Sequence, residues 1–120
     1  MHQEAVVSSD RLFQVWRYTV SHHQLLLRSN KTDGDGTRLE VLFKDVSFMA
    51  VPSLMRGLEV TLCNPSDVDL PFHVSTEHGS NWYRISTNGS VGYVAAVACQ
   101  FKEDGLEYYD ESGLLVEVYP

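Results

Sequence analysis

The residues best suited to chemistry form an acidic, tyrosine-containing segment near the C-terminal end of the chain. Five carboxylates and two tyrosines occur there within nine residues: Glu103, Asp104, Glu107, Tyr108, Tyr109, Asp110 and Glu111. Carboxylates attract and pair with Arg and Lys side chains, while tyrosine offers a large rigid contact area with a polar tip. The segment therefore predicts a surface that binds a basic partner protein.

The same residues also suit a purely structural role. The turn sequences Asp104-Gly105 and Glu111-Ser112-Gly113 flank the segment and predict a hairpin. Charges along an exposed edge hairpin oppose edge-to-edge aggregation, which natural β proteins commonly need. This structural interpretation is the more common one for such a segment, and it stays open beside the recognition hypothesis.

A second candidate site consists of Trp82, Tyr83 and Arg84. Aromatic rings near a loop can line the mouth of a β-barrel or sandwich that holds a small apolar or anionic ligand, with Arg84 as the partner of an anion. Trp16, Trp82 and Tyr83 are more simply interpreted as core residues, because large aromatic side chains dominate small cores. Ligand binding near these residues is the alternative hypothesis.

One cluster could serve an enzyme, namely His73, Glu77 and His78. Zinc peptidase patterns such as H-E-x-x-H require a helix and a shorter spacing, whereas these residues follow Pro71 and precede Gly79. The loop with Asp33 and Asp35 fails as a calcium loop because a lysine stands at a ligand position. We therefore predict no metal site, no catalytic residues and no cofactor, and we regard an enzyme as less favoured than a binding protein.

The charge of the chain is unevenly distributed. The net charge is −7, and residues 1–60 contain seven basic and seven acidic residues, whereas residues 61–120 contain two basic and nine acidic residues. Nucleic acids and anionic membranes are bound by Lys and Arg, so neither is expected as a partner. The N-terminal residues lack an export signal, and the distant Cys63 and Cys99 predict free thiols, so we expect a cytoplasmic location.

The remaining pattern predicts one all-β domain. Turn sequences recur every 8 to 12 residues and separate short segments rich in β-branched and aromatic residues. Asn88-Gly89 between two such segments predicts a tight hairpin turn. Helix is an alternative in two places, because the apolar residues of 11–20 also fall near helical spacing and residues 91–101 are rich in Ala. The predicted strands lie over residues 11–20, 25–28, 39–44, 46–50, 58–63, 72–76, 82–87, 91–101, 106–109 and 114–119.

This pattern predicts an antiparallel β-sandwich or small β-barrel of about 9–10 short strands with little helix. A chain of 120 residues has the usual length of one globular domain, so residues 1–120 are assigned to a single unit. Residues 1–9 are a candidate for a disordered N-terminus.

Overall fold

Segments rich in Val, Leu, Phe and Tyr form the strands, because such side chains pack well on a pleated, half-buried surface. The computed structural model describes residues 5–76 and 79–114. It contains the following strands: β1 (Ala5–Thr19), β2 (Gln24–Ser29), β3 (Arg38–Lys44), β4 (Phe48–Ala50), β5 (Leu54–Cys63), β6 (Asn81–Thr87), β7 (Ser90–Ala96) and β8 (Ala98–Asp104). Within these residues, helix is limited to two three-residue 3-10 turns, Ser21–His23 and Pro65–Asp67. The predicted all-β fold is confirmed.

All the strands belong to one antiparallel sheet that curls on itself. Its order is β4-β7-β6-β5-β1-β2-β3-β8. The two edges of the sheet, β4 with its neighbour β7 and β8 with its neighbour β3, are also linked along the chain, since β3 leads into β4 and β7 leads into β8. Backbone hydrogen bonds of 2.9 Å connect them, from Val97 N–H to the Lys44 carbonyl and from Ser47 N–H to the Ala95 carbonyl. The result is a barrel-like form.

The concave side of the sheet holds the main core. Alternate residues of each strand point inward, as the period of two requires. Phe43 and Tyr83 meet there edge to face with ring centroids 5.4 Å apart. The other completely buried members of this core are Phe13, Leu25, Leu27, Val41, Met55, Val60, Ile85, Val94 and Ala96. A smaller cluster around Trp82 and Tyr93 lies on the convex side, where Val68, Leu70 and Val74 cover it.

Several predicted boundaries are wrong. Residues 72–76 form no strand, because Phe72 and Val74 instead pack over Phe48 and the cluster around Trp82. Residues 106–109 form no strand: Tyr108 and Tyr109 lie in a turn closed by a hydrogen bond from the Asp110 N–H to the Glu107 carbonyl, and residues 115–119 of the last predicted strand lie outside the described residues. The predicted strand 91–101 is extended but divides at Val97, where β7 ends and β8 begins.

Other predictions are confirmed. Residues 11–20 are strand and not helix up to Thr19, and Asn88-Gly89 makes the predicted turn between β6 and β7, with Gly89 at a φ of 86°. Residues 5–9 belong to β1, where Val7 pairs with Val60 and Ser8 with Glu59.

Gly92 allows β4 to pair closely with β7. A methyl group at this position would overlap the backbone carbonyl of Ala50, whereas one at Gly36 would meet no atom within 4 Å. We expect Gly92→Ala to lower the free energy of unfolding by about 1–3 kcal/mol through overpacking. Gly36→Ala is the matched control, with a change of about 0.5 kcal/mol or less. Urea unfolding of both variants measures this, and equal stabilities would contradict the packing argument.

Candidate functional site

Three charged side chains on the convex face of β2 and β3 are shielded from water. Arg28, Arg38 and Glu40 are 2%, 0% and 0% exposed, and Arg28 lies directly opposite Glu40 in the strand register. Arg28 donates from Nε to Glu40 Oε2 at 2.9 Å, and the Ser112 hydroxyl donates to Oε1 at 2.8 Å. Arg38 Nη2 is 3.7 Å from the same Oε1. Buried charges persist only when they are paired and hydrogen-bonded, as they are here.

A segment that we call the strap, residues 105–114, covers this buried cluster. Arg28 donates to the Tyr108 carbonyl at 2.8 Å. Arg38 donates to the carbonyls of Glu107 and Asp110, both at 2.8 Å, and to that of Glu111 at 3.2 Å. The strap carbonyls thus accept hydrogen bonds from guanidinium groups in place of the backbone N–H groups of a neighbouring strand. This is why residues 106–109 do not form the predicted hairpin strand.

Most carboxylates of the acidic segment are paired inside the chain with cations from the first half of the sequence. Asp110 is the exception: its carboxylate accepts the Glu107 N–H at 2.9 Å, and no cation of the described residues pairs with it. The four pairs are Glu103 with Arg11 at 3.9 Å, Asp104 with Arg38 at 3.0 Å, Glu107 with Lys31 at 3.0 Å and Glu111 with Arg17 at 3.2 Å.

Asp104 anchors the end of β8 to the cluster. Its two oxygens accept Nε and Nη2 of Arg38 at 3.0 and 3.1 Å, a bidentate pair. Burial alone would raise the pKa of Asp104, but the hydrogen bonds from Arg38 and the Leu106 N–H, with the nearby positive charges of Arg38 and Lys102, outweigh it. The pKa of Asp104 therefore lies below its ordinary value of 3.8.

A pocket of about 310 Å³ opens between the strap and the sheet. The sheet provides Trp16, Arg17, Leu26 and Arg28, and the strap provides Tyr108, Tyr109, Asp110 and Glu111. Tyr108 and Tyr109 contact each other edge to face at 5.3 Å and remain 61% and 71% exposed. The structure thus brings the two tyrosines, Asp110 and Glu111 to one site, whereas Glu103, Asp104 and Glu107 do not line the pocket.

Trp16 reaches this pocket because of an irregularity in β1. Val15 pairs with Leu27 and Arg17 pairs with Leu26, so Trp16 is the extra residue of a β-bulge. Bulges redirect side chains and are common beside functional sites. The Arg28 guanidinium lies over the indole ring, with its Cζ atom 4.5 Å from the ring centroid, and Trp16 is 36% exposed. The interpretation of Trp16 as a core residue is therefore wrong. The only sign of the bulge in the sequence is that the alternation of apolar and polar residues, regular through Phe13 and Val15, breaks at Trp16.

The residues of the alternative site do not converge. Tyr83 points into the main core, and Trp82 lies on the opposite face beneath residues 68–74. Arg84 is exposed. A small cavity of about 160 Å³ adjoins Trp82 and the exposed His73. The other two residues of the histidine-containing cluster, Glu77 and His78, lie outside the described residues.

The cysteines have the character of packed thiols. Burial raises the pKa of Cys99 to about 12 and is also the largest influence raising that of Cys63. Such thiols are poor nucleophiles at neutral pH. Within residues 5–76 and 79–114, no three His, Cys, Asp or Glu side chains are grouped to hold a metal ion. The same residues contain no helix long and apolar enough to cross a membrane.

Comparisons of the chain with protein-family models, with curated proteins and with solved structures find no match. The geometry of the pocket and strap is therefore the basis for a functional proposal.

Glu40 is the only anion that contacts both buried arginines in the described part of the chain. We expect Glu40→Gln to lower the free energy of unfolding by about 3–5 kcal/mol, because it leaves buried positive charge without compensation. Glu59→Gln, on the exposed side of β5, is the matched control and should change stability by about 0.5 kcal/mol or less. Chemical denaturation distinguishes the two, and similar stabilities would argue against the cluster as a structural centre.

The lowered pKa of Asp104 predicts a loss of stability in acid. In the unfolded chain the Asp104 carboxyl has its ordinary pKa of 3.8, above the folded value, so its stabilisation of the fold is complete well above that pH and is lost as the pH falls towards the folded pKa. We expect the wild-type chain to lose more stability between pH 5 and pH 2.5 than Asp104→Asn does. Urea midpoints across this range test it; parallel curves would show that Asp104 does not contribute.

Proposed function

We propose that this protein is a non-enzymatic interaction module that binds a basic partner protein through the pocket between the strap and β1. The observation that carries the proposal is the pocket itself. Trp16, Tyr108 and Tyr109 surround it, and its strap wall is held by buried arginines. Trp, Tyr and Arg are the residue types that most often dominate binding energy at protein interfaces.

The fixed backbone of the strap supports this proposal. Carbonyls of Glu107, Tyr108 and Asp110 accept hydrogen bonds from the buried arginines, so the strap is held in place before any partner arrives. The tyrosine rings on its outer side are nevertheless largely exposed. Association then costs less conformational entropy than it would for a flexible loop with the same residues.

The charge of the site favours a basic partner. The whole chain has a net charge of −7, which steers the approach of a positively charged surface. The pairs Arg17–Glu111 and Lys31–Glu107 are partly exposed, and exposed pairs contribute only about 0–1 kcal/mol. Their carboxylates can therefore exchange an internal cation for one from the partner at little cost.

The alternative, a small ligand beside Trp82, Tyr83 and Arg84, has weaker support. A binding site needs its side chains to face one space. Tyr83 and Trp82 instead lie on opposite faces of β6, and each is at least nine-tenths buried. We therefore keep the interaction module as the proposed function.

Capture of partners on the immobilised protein tests the proposal. We expect the double variant Tyr108→Ala, Tyr109→Ala to weaken binding of a captured basic protein by about 30-fold, equivalent to ~2 kcal/mol, because two exposed contact rings are removed. The backbone carbonyls that hold the strap stay in place in this variant. Unfolding curves like those of the wild type would show that the fold is retained.

Phe72→Ala is the matched control, because it removes an exposed ring that does not line the pocket. Binding should be unchanged in this variant, and in the wild type it should weaken as ionic strength rises. A partner that binds the double tyrosine variant as tightly as the wild type would contradict the proposal.

A further inference from the structure

The pocket is suited to one kind of side chain from the partner. We propose that it receives an arginine side chain, an inference that rests on the proposed function and specifies its contact. The pocket measures about 310 Å³, at the lower end of the range for small-molecule sites. A single long side chain is therefore a better match for it than an extended segment.

The aromatic walls of the pocket suit a cation. The negative faces of Trp and Tyr rings attract guanidinium groups. The protein already makes such a contact at this place, since the Arg28 guanidinium lies 4.5 Å from the centre of the Trp16 ring. The mutual edge-to-face contact of Tyr108 and Tyr109 leaves both rings largely exposed, with ring surface available to a second guanidinium.

The charges around the pocket disfavour an anion. Arg28 uses Nε and Nη2 on Glu40 and Nη1 on the Tyr108 carbonyl. Arg17 is paired with Glu111 at 3.2 Å. Both positive charges that line the pocket are thus already compensated, whereas the negative charge of Asp110 has no cationic partner among the described residues. The uncompensated charge of the pocket wall is negative.

An arginine fits this combination better than a lysine does. A planar guanidinium stacks on a ring while its in-plane N–H groups donate to a carboxylate. An ammonium is more strongly hydrated and cannot stack. With aromatic rings and Asp110 on the same wall, the pocket offers both contacts to one side chain. The Asp110 carboxylate already accepts the Glu107 N–H, which holds it in place.

Titration of the purified protein with small probes tests the inference without any partner. The probes are arginine, lysine and citrulline, each with both ends blocked; citrulline has nearly the shape of arginine but no charge. We expect blocked arginine to shift the NMR signals of the Trp16 indole N–H and the Tyr109 and Asp110 amides, with a Kd of about 1–10 mM. Blocked lysine and blocked citrulline should bind at least about fivefold more weakly, since each lacks one of the two contacts.

Substitutions locate the binding. Asp110→Asn keeps an oxygen for the Glu107 N–H but removes the charge, so arginine affinity should fall at least about fivefold. Asp33→Asn, an exposed carboxylate outside the pocket, is the matched control and should have no effect. Equal binding of citrulline or lysine would overturn the inference. The inference would also be overturned if blocked arginine caused the same NMR shifts in Asp110→Asn as in the wild type, because the binding would then be a weak attraction to the acidic surface as a whole.

This test and the partner capture fail independently. If blocked arginine does not bind but capture depends on Tyr108 and Tyr109, the interaction module stands and the arginine contact is wrong. If blocked arginine binds but the double tyrosine variant captures the partner as well as the wild type does, the proposed function is wrong.

Discussion

The buried cluster of Arg28, Arg38 and Glu40 is the constraint on which the rest of this structure depends. Removing three charges from water is expensive, and one carboxylate cannot compensate two guanidinium groups alone. Asp104 supplies the second negative charge, and backbone carbonyls of the strap supply the remaining acceptors. The sheet therefore cannot bury these side chains unless the strap folds over them. In turn, the strap has no regular secondary structure and depends on the arginines for its hydrogen bonds.

The strap separates a structural side from an exposed side. Its carbonyls face the sheet, where they accept hydrogen bonds from Arg28 and Arg38. The rings of Tyr108 and Tyr109 are therefore free to face the pocket and solvent. Tyrosine would normally be drawn into a core by its apolar area. Because the strap is held by its backbone, these rings are not needed for packing and remain available to a partner.

The strands could be predicted because alternation along one strand reports one buried face, as in Leu39, Val41 and Phe43. The strap could not, because its partners are far away in sequence. Arg28 and Arg38 lie about 70–80 residues before the carbonyls they bind, and nothing local marks that pairing. The outer residues of β3 look solvent-exposed by pattern, yet Arg38 and Glu40 are completely buried.

The uneven charge of the sequence has a physical explanation in these pairs. Four of the nine carboxylates in the second half, all of them in the acidic segment, pair in space with cations of the first half, namely Arg11, Arg17, Lys31 and Arg38. Composition along the chain therefore overstates how acidic the segment is once folded. What composition could not indicate is that Asp110, beside the aromatic pocket, is the one carboxylate of the acidic segment without a cationic partner among the described residues. A small uncompensated charge next to exposed rings is more selective than a broad acidic surface, because only a cation that also contacts the rings benefits fully from both.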